Sequence, residues 1–526
     1  MYELLKARLS QLETSELTQA LAKSRIGLEK ESLRVTPEGC ISRTPHPKAW
    51  GSALTHPQIT TDFSEALTEL ITPPCHSIEE AVQSLDDIQN FVYRNLDNEI
   101  LWATSMPCVV AGETDIPLAQ YGTSNAAQMK TAYRRGLGLR YGRAMQVIAG
   151  VHFNYSFSDE FWQLYQSLCQ NNDELQDFVS AQYMGAVRNL LRYGWLVPYL
   201  FGASPAICKS FLNGKKTLLQ EFDSNTYYEP YATSLRMGDI GYQNNKEDTT
   251  GIKACYDSIE AYVQSLQCAI ATPYPGYQAL GVKVDGEYRQ LNANILQIEN
   301  EYYSSVRPKQ ILRDNEMPSL ALKERGVAYL ELRSLDVNAF DPHGINLEQL
   351  YFLEIFMLFC LLHESPVLSM SEIFAIDENL LMVAHKGRQP GLMLGRGDEK
   401  ISLQDWAGEL CKQMKGVADL LDNAHYTENY FSSVKSQIAA VYDPDLTPSA
   451  RMLADMKERG ESFYTHAKRM SHHHYQYYKN TRLSDEKIKF FTQLAEDSLH
   501  KQQQIEQEDD MSLDSYLENY FNQGGQ

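Results

Sequence analysis

The sequence holds no GxxxxGK(S/T) motif, so no P-loop is present to cradle phosphates, and GxGxxG, HExxH and GxSxG are missing as well. Any nucleotide chemistry must come from a site built another way. Cysteine is sparse and unpatterned: Cys40, Cys75, Cys108, Cys169, Cys208, Cys255, Cys268, Cys360 and Cys411 make an odd nine without a CxxC. That excludes a disulfide framework and a zinc knuckle, and it fits a reducing cytosol. Long apolar runs are missing too. The longest, Ile355 to Leu362, falls far short of the roughly 20 residues that span a bilayer and reads as a buried helix. The N-terminal stretch MYELLKARLSQLETSELTQA is charged throughout and lacks the apolar core of a signal peptide, so a cytoplasmic location is expected. Basic charge is in deficit: 47 Lys and Arg face 68 Asp and Glu, a formal net charge of -21. Such a surface repels nucleic acid and anionic lipid, which excludes both as expected partners. It leaves room for an anionic substrate in a local cationic pocket.

What is present is ample apolar content, 43% of 526 residues, enough for two or three structural units. Residues 1–23 read as one amphipathic helix. From about 24 to 350, strand-like and helix-like segments alternate; beyond 350 the pattern is nearly all helical. The expected division therefore lies near 350, between a mixed strand-and-helix part over 1–350 and a mostly helical region over 351–526 packed on it. The polar stretch 499–510 reads as a solvated helix or frayed tail. In Ser471-His472-His473-His474-Tyr475, adjacent histidines on a helix point in different directions, so a solvated face is expected rather than chelation.

The chemistry is carried by carboxylates on apolar strand faces. Along Ile26–Val35, strand alternation places Glu29 and Glu31 with Leu33 and Val35, and Lys30, Ser32 and Arg34 opposite. Burying an unpaired carboxylate costs several kcal/mol, so a partner is needed, and two neighbouring acids suit a hard divalent cation. The plainer alternative is an edge strand with that face exposed. Along Val327–Leu335, Glu331 and Arg333 share a face and can serve a metal and a phosphate; the commoner alternative is a cross-strand salt bridge. In Val151–Phe157, His152, Asn154 and Ser156 oppose an apolar face; a lone histidine there is more often structural than a ligand. In Thr60–Leu70 the Asp62/Glu65 spacing matches a capping box, which predicts a helix start with Asp62 as N-cap, Glu65 solvated, and Asp62 and Glu69 on one face. Magnesium handling ATP takes one or two carboxylates plus phosphate oxygens, so such a set can hold more than one ion.

Eleven segments stand in a recognisable order: GLEKESLRV, ITTDFSEALTELITPP, SMPC, LAQYGTSN, YRRGLGLRYG, GVHFNYSF, PYLFGASPAIC, YATSLRMGDIGY, LQIENEYYSSVRPK, LELRSLDVNAFDPHG and DPDLTPSARML. Over about residues 24–465 the chain resembles glutamate–cysteine ligases of the gammaproteobacterial type. The resemblance implies an α+β fold similar to glutamine synthetase, a curved antiparallel sheet with metals on its concave face. It implies ATP- and Mg2+- (or Mn2+-) dependent joining of the glutamate side-chain carboxylate to the amine of cysteine, the first step of glutathione synthesis. ATP, glutamate and cysteine are then the expected partners, with feedback by glutathione and a monomeric enzyme. The family's metal ligands fall on Glu29, Glu31, Asp62, Glu69, His152 and Glu331. Its phosphate-side arginine falls on Arg333, with Arg134 a second candidate. The cysteine pocket falls on Tyr133, Leu137, Gln146, Arg236, Tyr242 and Tyr303, with Phe63 nearby. At Ala126-Ala127-Gln128 the chain departs from the family pattern. No second ATP-dependent domain is seen after the match, so the expected product is the dipeptide. Ammonia as the amine fits poorly, because it would need no pocket of this kind, and a non-catalytic binding protein could have lost the acids freely.

Overall fold

Seven strands of alternating character pair edge to edge, and every ladder is antiparallel. In the computed structural model, which describes residues 2–13, 16–110, 112–241 and 253–523, they are β1 (Arg25–Val35), β2 (Ile59–Thr61), β3 (Leu67–Ile71), β4 (Ile100–Leu101), β5 (Val151–Ser156), β6 (Val306–Lys309) and β7 (Tyr329–Leu335). Their order is β6-β7-β5-β1-β3-β2, with β4 pairing onto the end of β1. β1 is thus central, with neighbours on both sides, and the edge-strand alternative for Glu29 and Glu31 falls away.

Alternation gives the sheet two unlike faces. The rear face joins Leu28, Phe153 and Leu332 in one row across β1, β5 and β7. Helices Ile78–Arg94 and Leu347–Leu362 pack behind it. The second begins with a full capping box, Asn346 and Gln349 each bonding the other's backbone N–H, and is buried from Gln349 onward. Residue 350, the expected division, lies inside this helix.

Several local expectations are corrected. Residues 1–23 do not form one helix: Glu3–Glu13 and Leu17–Leu21 are separate, and the Thr18 hydroxyl donates to Leu12 O at 2.8 Å, closing the end of the first. The helix expected at Asp62 is a hairpin, β2–β3, in which Thr61 faces Thr68. The capping-box spacing is used as a turn instead: Asp62 N–H donates to Leu67 O at 3.0 Å. Glu65 is buried rather than solvated, accepting from His46 N at 2.8 Å and Gln120 N at 2.7 Å. Pairing to β1 supplies the strand with partners that a local signal cannot reveal. The stretch 499–510 belongs mostly to a docked helix, Asp485–Glu508, whose Gln502 accepts from Ser52 Oγ at 2.5 Å. In the histidine run His473 is exposed but His474 is buried, and burial pushes its imidazole down to about 3. Cys108 and Cys208 form a disulfide, which counting had not foreseen; seven other cysteines are free. No helix among the described residues is long and apolar enough to cross a membrane.

Candidate active site

The front face of the sheet collects the acids. Across β1–β3, Glu31 faces Glu69; across β1–β5, Glu29 faces His152. Glu331 on β7 faces Asn154 on one side and Arg307 of β6 on the other. The β2–β3 turn brings Asp62 to the same opening, so that Glu29, Glu31, Asp62, Glu69, His152 and Glu331 all line one cavity of about 490 Å3.

Within it the contacts are close. His152 Nδ1 lies 2.9 Å from Glu29 Oε2 and 3.8 Å from Glu331 Oε1, and its Nε2 lies 3.9 Å from Glu31 Oε1. Asn154 Nδ2 donates to Glu29 Oε1 at 2.8 Å, and Gly150 N donates to Glu31 Oε2 at 2.7 Å. Arg333 Nη1 donates to Glu331 Oε1 at 3.0 Å within one strand, while the expected cross-strand salt bridge is made to Glu331 from Lys309 of β6, inside the same cavity. Lys309 Nζ stands 3.6 Å from Glu331 Oε2, an oxygen with no hydrogen-bond partner among the described residues.

Burial and crowding set the charge. Burial, reinforced by Glu29, Asp62 and Glu31, holds the Glu69 carboxyl well above the usual range. Burial likewise raises Glu31. Glu331 goes the other way: burial opposes its charge, but Arg333, Lys309, His152 and Arg307 overcome that and hold it well below the usual range. The site therefore has an ionised side toward β6–β7 and a side toward β3 where carboxylates repel one another. Such a donor set, hard oxygens crowded together on the β3 side and beside His152, fits one or more divalent ions of the magnesium type. Glu29, His152 and Glu331 each offer a ligand atom within 4.8 Å of the others.

The remaining predicted residues lie around the same cavity. Helix Asn125–Tyr141, capped by Ser124, presents Tyr133, Arg134 and Leu137, and Phe63 and Gln146 lie beside them. Arg134 Nε donates to Asp62 O, and its guanidinium sits 4.7 Å from the Tyr121 ring centroid. Arg236 enters from the turn Leu235–Met237 and donates to Arg333 O at 2.9 Å, while the Tyr303 hydroxyl donates to Met237 Sδ at 3.4 Å. Tyr242 lies outside the described residues. Ala126, where the motif departs, lines the cavity too.

Sequence reading missed four cavity cations: Arg307 and Lys309 on β6, Lys130 on the helix, and Arg313 just beyond β6. A signal for the first two was available. In Val306-Arg307-Pro308-Lys309 the cations alternate, as on one strand face, and Pro308 is tolerated because β6 is an edge strand. Burial pulls Lys130 down to about 8.

Comparison with known proteins agrees with this geometry. The family model for glutamate-cysteine ligase matches residues 9–383. A glutamate–cysteine ligase of Alcanivorax borkumensis is 46% identical over 523 residues, 98% of this chain and 99% of its own. One from Pseudomonas paraeruginosa is 45% identical over 520 residues, 99% of this chain and 98% of its own. The crystal structure of a Francisella tularensis glutamate–cysteine ligase in complex with AMP superposes with a TM-score of 0.90 at 35% identity, covering 96% of this chain and 98% of that one. The chain belongs to the glutamate–cysteine ligase family.

Proposed function

We propose that the front face catalyses ATP-dependent formation of γ-glutamylcysteine, the first step of glutathione synthesis, through an acyl phosphate. The carrying observation is the Glu331 carboxylate: ionised, buried, flanked by Arg333 and Lys309, and with one oxygen that accepts no hydrogen bond among the described residues. Glu29, Glu31, Asp62, Glu69, His152 and Glu331 would hold Mg2+ or Mn2+. Bound there, the ions would neutralise phosphate charge that otherwise repels a carboxylate substrate.

The chain's own residues do the rest. A glutamate carboxylate cannot expel oxide to an amine, so an oxygen of its side chain first takes the γ-phosphoryl group and ADP leaves. Arg333, Lys309 and Arg307 stand where charge on the transferring group is offset, with Arg134 across the cavity. Arg236 is placed to bind the cysteine carboxylate in a charge-assisted pair, with Tyr133, Leu137, Gln146 and Tyr303 as pocket walls. The cysteine amine then attacks the acyl carbon, loses a proton, and breaks the C–O bond to phosphate. Glutathione carries a γ-glutamylcysteine moiety and fits the same subsites, which is the basis for feedback by competition. The reading places the enzyme in the cytoplasm, acting as a monomer, with residues 1–350 carrying the chemistry and 351–526 bracing it.

The test is ADP release with Mg2+, ATP and glutamate, alone and with cysteine, cysteine analogues or ammonia. Cysteine should give the fastest turnover and chelator should abolish it. No ADP release, or ammonia matching cysteine, would overturn the reading.

A further inference from the structure

The turn that carries Arg236 is held from two sides. On the inner side, Ser234 Oγ donates to Asp336 Oδ1 at 2.8 Å and accepts from Met237 N at 3.3 Å. Arg236 Nη1 stands 3.7 Å from the same Asp336 oxygen, and its Nη2 donates to Arg333 O. On the outer side, the turn closes the end of helix Met370–Lys386, which lies outside the eleven ordered segments. The last carbonyls of a helix have no partner within it. Here Thr233 N and Ser234 N donate to Ala384 O at 2.9 and 3.2 Å, and Thr233 Oγ1 donates to Val383 O at 2.8 Å. Just beyond the helix, the buried Arg388 donates through Nη2 to Pro230 O at 2.8 Å and Ala232 O at 3.2 Å.

His385, in the last turn of that helix, spans the Arg236 turn from end to end. Its Nδ1 lies 3.2 Å from Glu229 Oε1, ahead of Arg236, and its Nε2 lies 2.9 Å from Asp239 Oδ1, behind it. Gly238 lies against the ring, and a Cβ there would come within 2.6 Å of Nε2. A neutral imidazole has one N–H and one lone pair, so it can donate to one carboxylate only. Two carboxylates call for the imidazolium. Burial opposes that charge, but Glu229 and Asp239 override it and raise the ring above its ordinary value. Other charges nearby have partners of their own. Among the elements packed on this helix, Leu196–Phe201 carries no charge, Arg396 of strand Met393–Arg396 pairs with Glu409 at 3.0 Å, and Arg236 faces Asp336. Lys386 and Arg388 follow His385 in the chain.

We propose that His385 is a positioning residue for the amine substrate: as an imidazolium it ties Glu229 to Asp239 across the turn and holds the Arg236 guanidinium where the cysteine carboxylate binds. This rests on the ligase reading above, with Arg236 as the partner of that carboxylate. Arg236 lines the cavity and His385 does not, so His385 acts through the turn rather than on the substrate. Its effect therefore belongs to cysteine and not to ATP or glutamate.

The experiment is a double-mutant cycle on the full-length enzyme, with His385→Gln, Asp239→Ala and both together, varying cysteine, glutamate and ATP in turn. The Asp239 side chain is 61% exposed, so truncating it leaves the packing intact, and this variant decides alone if His385→Gln does not fold. Each single change should raise the cysteine KM up to about fivefold, the worth of an ion pair open to water, with the glutamate and ATP KM values within about twofold. The double variant should be no worse than either single one, because all three lose the same tie. An unchanged cysteine KM, a common rise in all three KM values, or single effects that multiply in the double variant would overturn the proposal. Failure of the ligase reading would look different, as no ADP release by the unaltered enzyme.

Discussion

The two faces of β1 hold charge in opposite ways. On the rear, Arg34 is fully buried yet nearly saturated: it donates to Glu99 Oε2 at 2.9 Å, Thr44 Oγ1 at 2.7 Å and Glu65 O at 2.9 Å. Lys30, two strand positions ahead of Ser32, reaches Gln89 and Pro342 O. Each rear-face cation has been given acceptors by the fold. On the front, Glu29, Glu31, Asp62 and Glu69 crowd one another, and one oxygen of Glu331 accepts no hydrogen bond among the described residues. A fold that gives a buried arginine its acceptors did not need to crowd four carboxylates together. Buried charge by itself does not mark a site; buried like charges packed against one another do.

The largest effect that would break this contrast is on turnover. Glu29→Gln or Glu331→Gln should cost at least about a hundredfold in kcat with the chain still folded, and Glu331→Gln should lower the melting temperature, since Arg333 and Lys309 lose their counter-ion. Near-normal turnover in both would remove the metal assignment. The mirror experiment is Arg34→Met, which strands Glu99 and should cost about 3–5 kcal/mol of stability in denaturant titration. The remaining folded fraction should turn over normally, and a catalytic defect with full stability would erase the distinction between the faces. A smaller effect is expected from Arg236→Ala. Losing a charge-assisted hydrogen bond costs about 1.5–3 kcal/mol, so the cysteine KM should rise about tenfold or more with the glutamate KM little changed. A raised glutamate KM instead would exchange the two pockets.

The smallest effect tests the rear side by pH. Burial opposes charge on His343, but hydrogen bonds with Asp341 and Asp86 override it and raise the imidazole to about 9. Its folded value exceeds the unfolded one, near 6.5. The stabilisation is therefore whole below pH 6.5 and is lost as pH rises through 9. His343→Gln should flatten that fall in unfolding free energy and leave kcat unchanged at neutral pH. A stability profile identical to the unaltered chain would refute the pairing.

How much of this could be read in advance differs from strand to strand. β1, β5 and β7 were legible because alternation set Glu29, His152 and Glu331 against aliphatic faces in a way no surface strand requires. Their convergence was not, since register is decided by pairing between residues over a hundred positions apart. The β2–β3 hairpin was misread because Asp62 and Glu65 satisfy a helix-capping rule locally, and only β1 as a neighbour outvotes it. β6 offered only the alternation of Arg307 and Lys309 over four residues, broken by Pro308. The docking of Glu506 and Asp509 depends on backbone N–H groups at Thr123 and Asn125, which a sequence does not display as acceptable partners.

The central claim is that Glu331 and Arg333, side by side on β7, serve phosphoryl transfer to the glutamate side chain. Glutamate labelled with heavy oxygen in that carboxylate tests it most directly. One labelled oxygen should appear in inorganic phosphate for each γ-glutamylcysteine formed, and Arg333→Ala should suppress label transfer and product together. Label in AMP, or pyrophosphate in place of ADP and phosphate, would contradict the account.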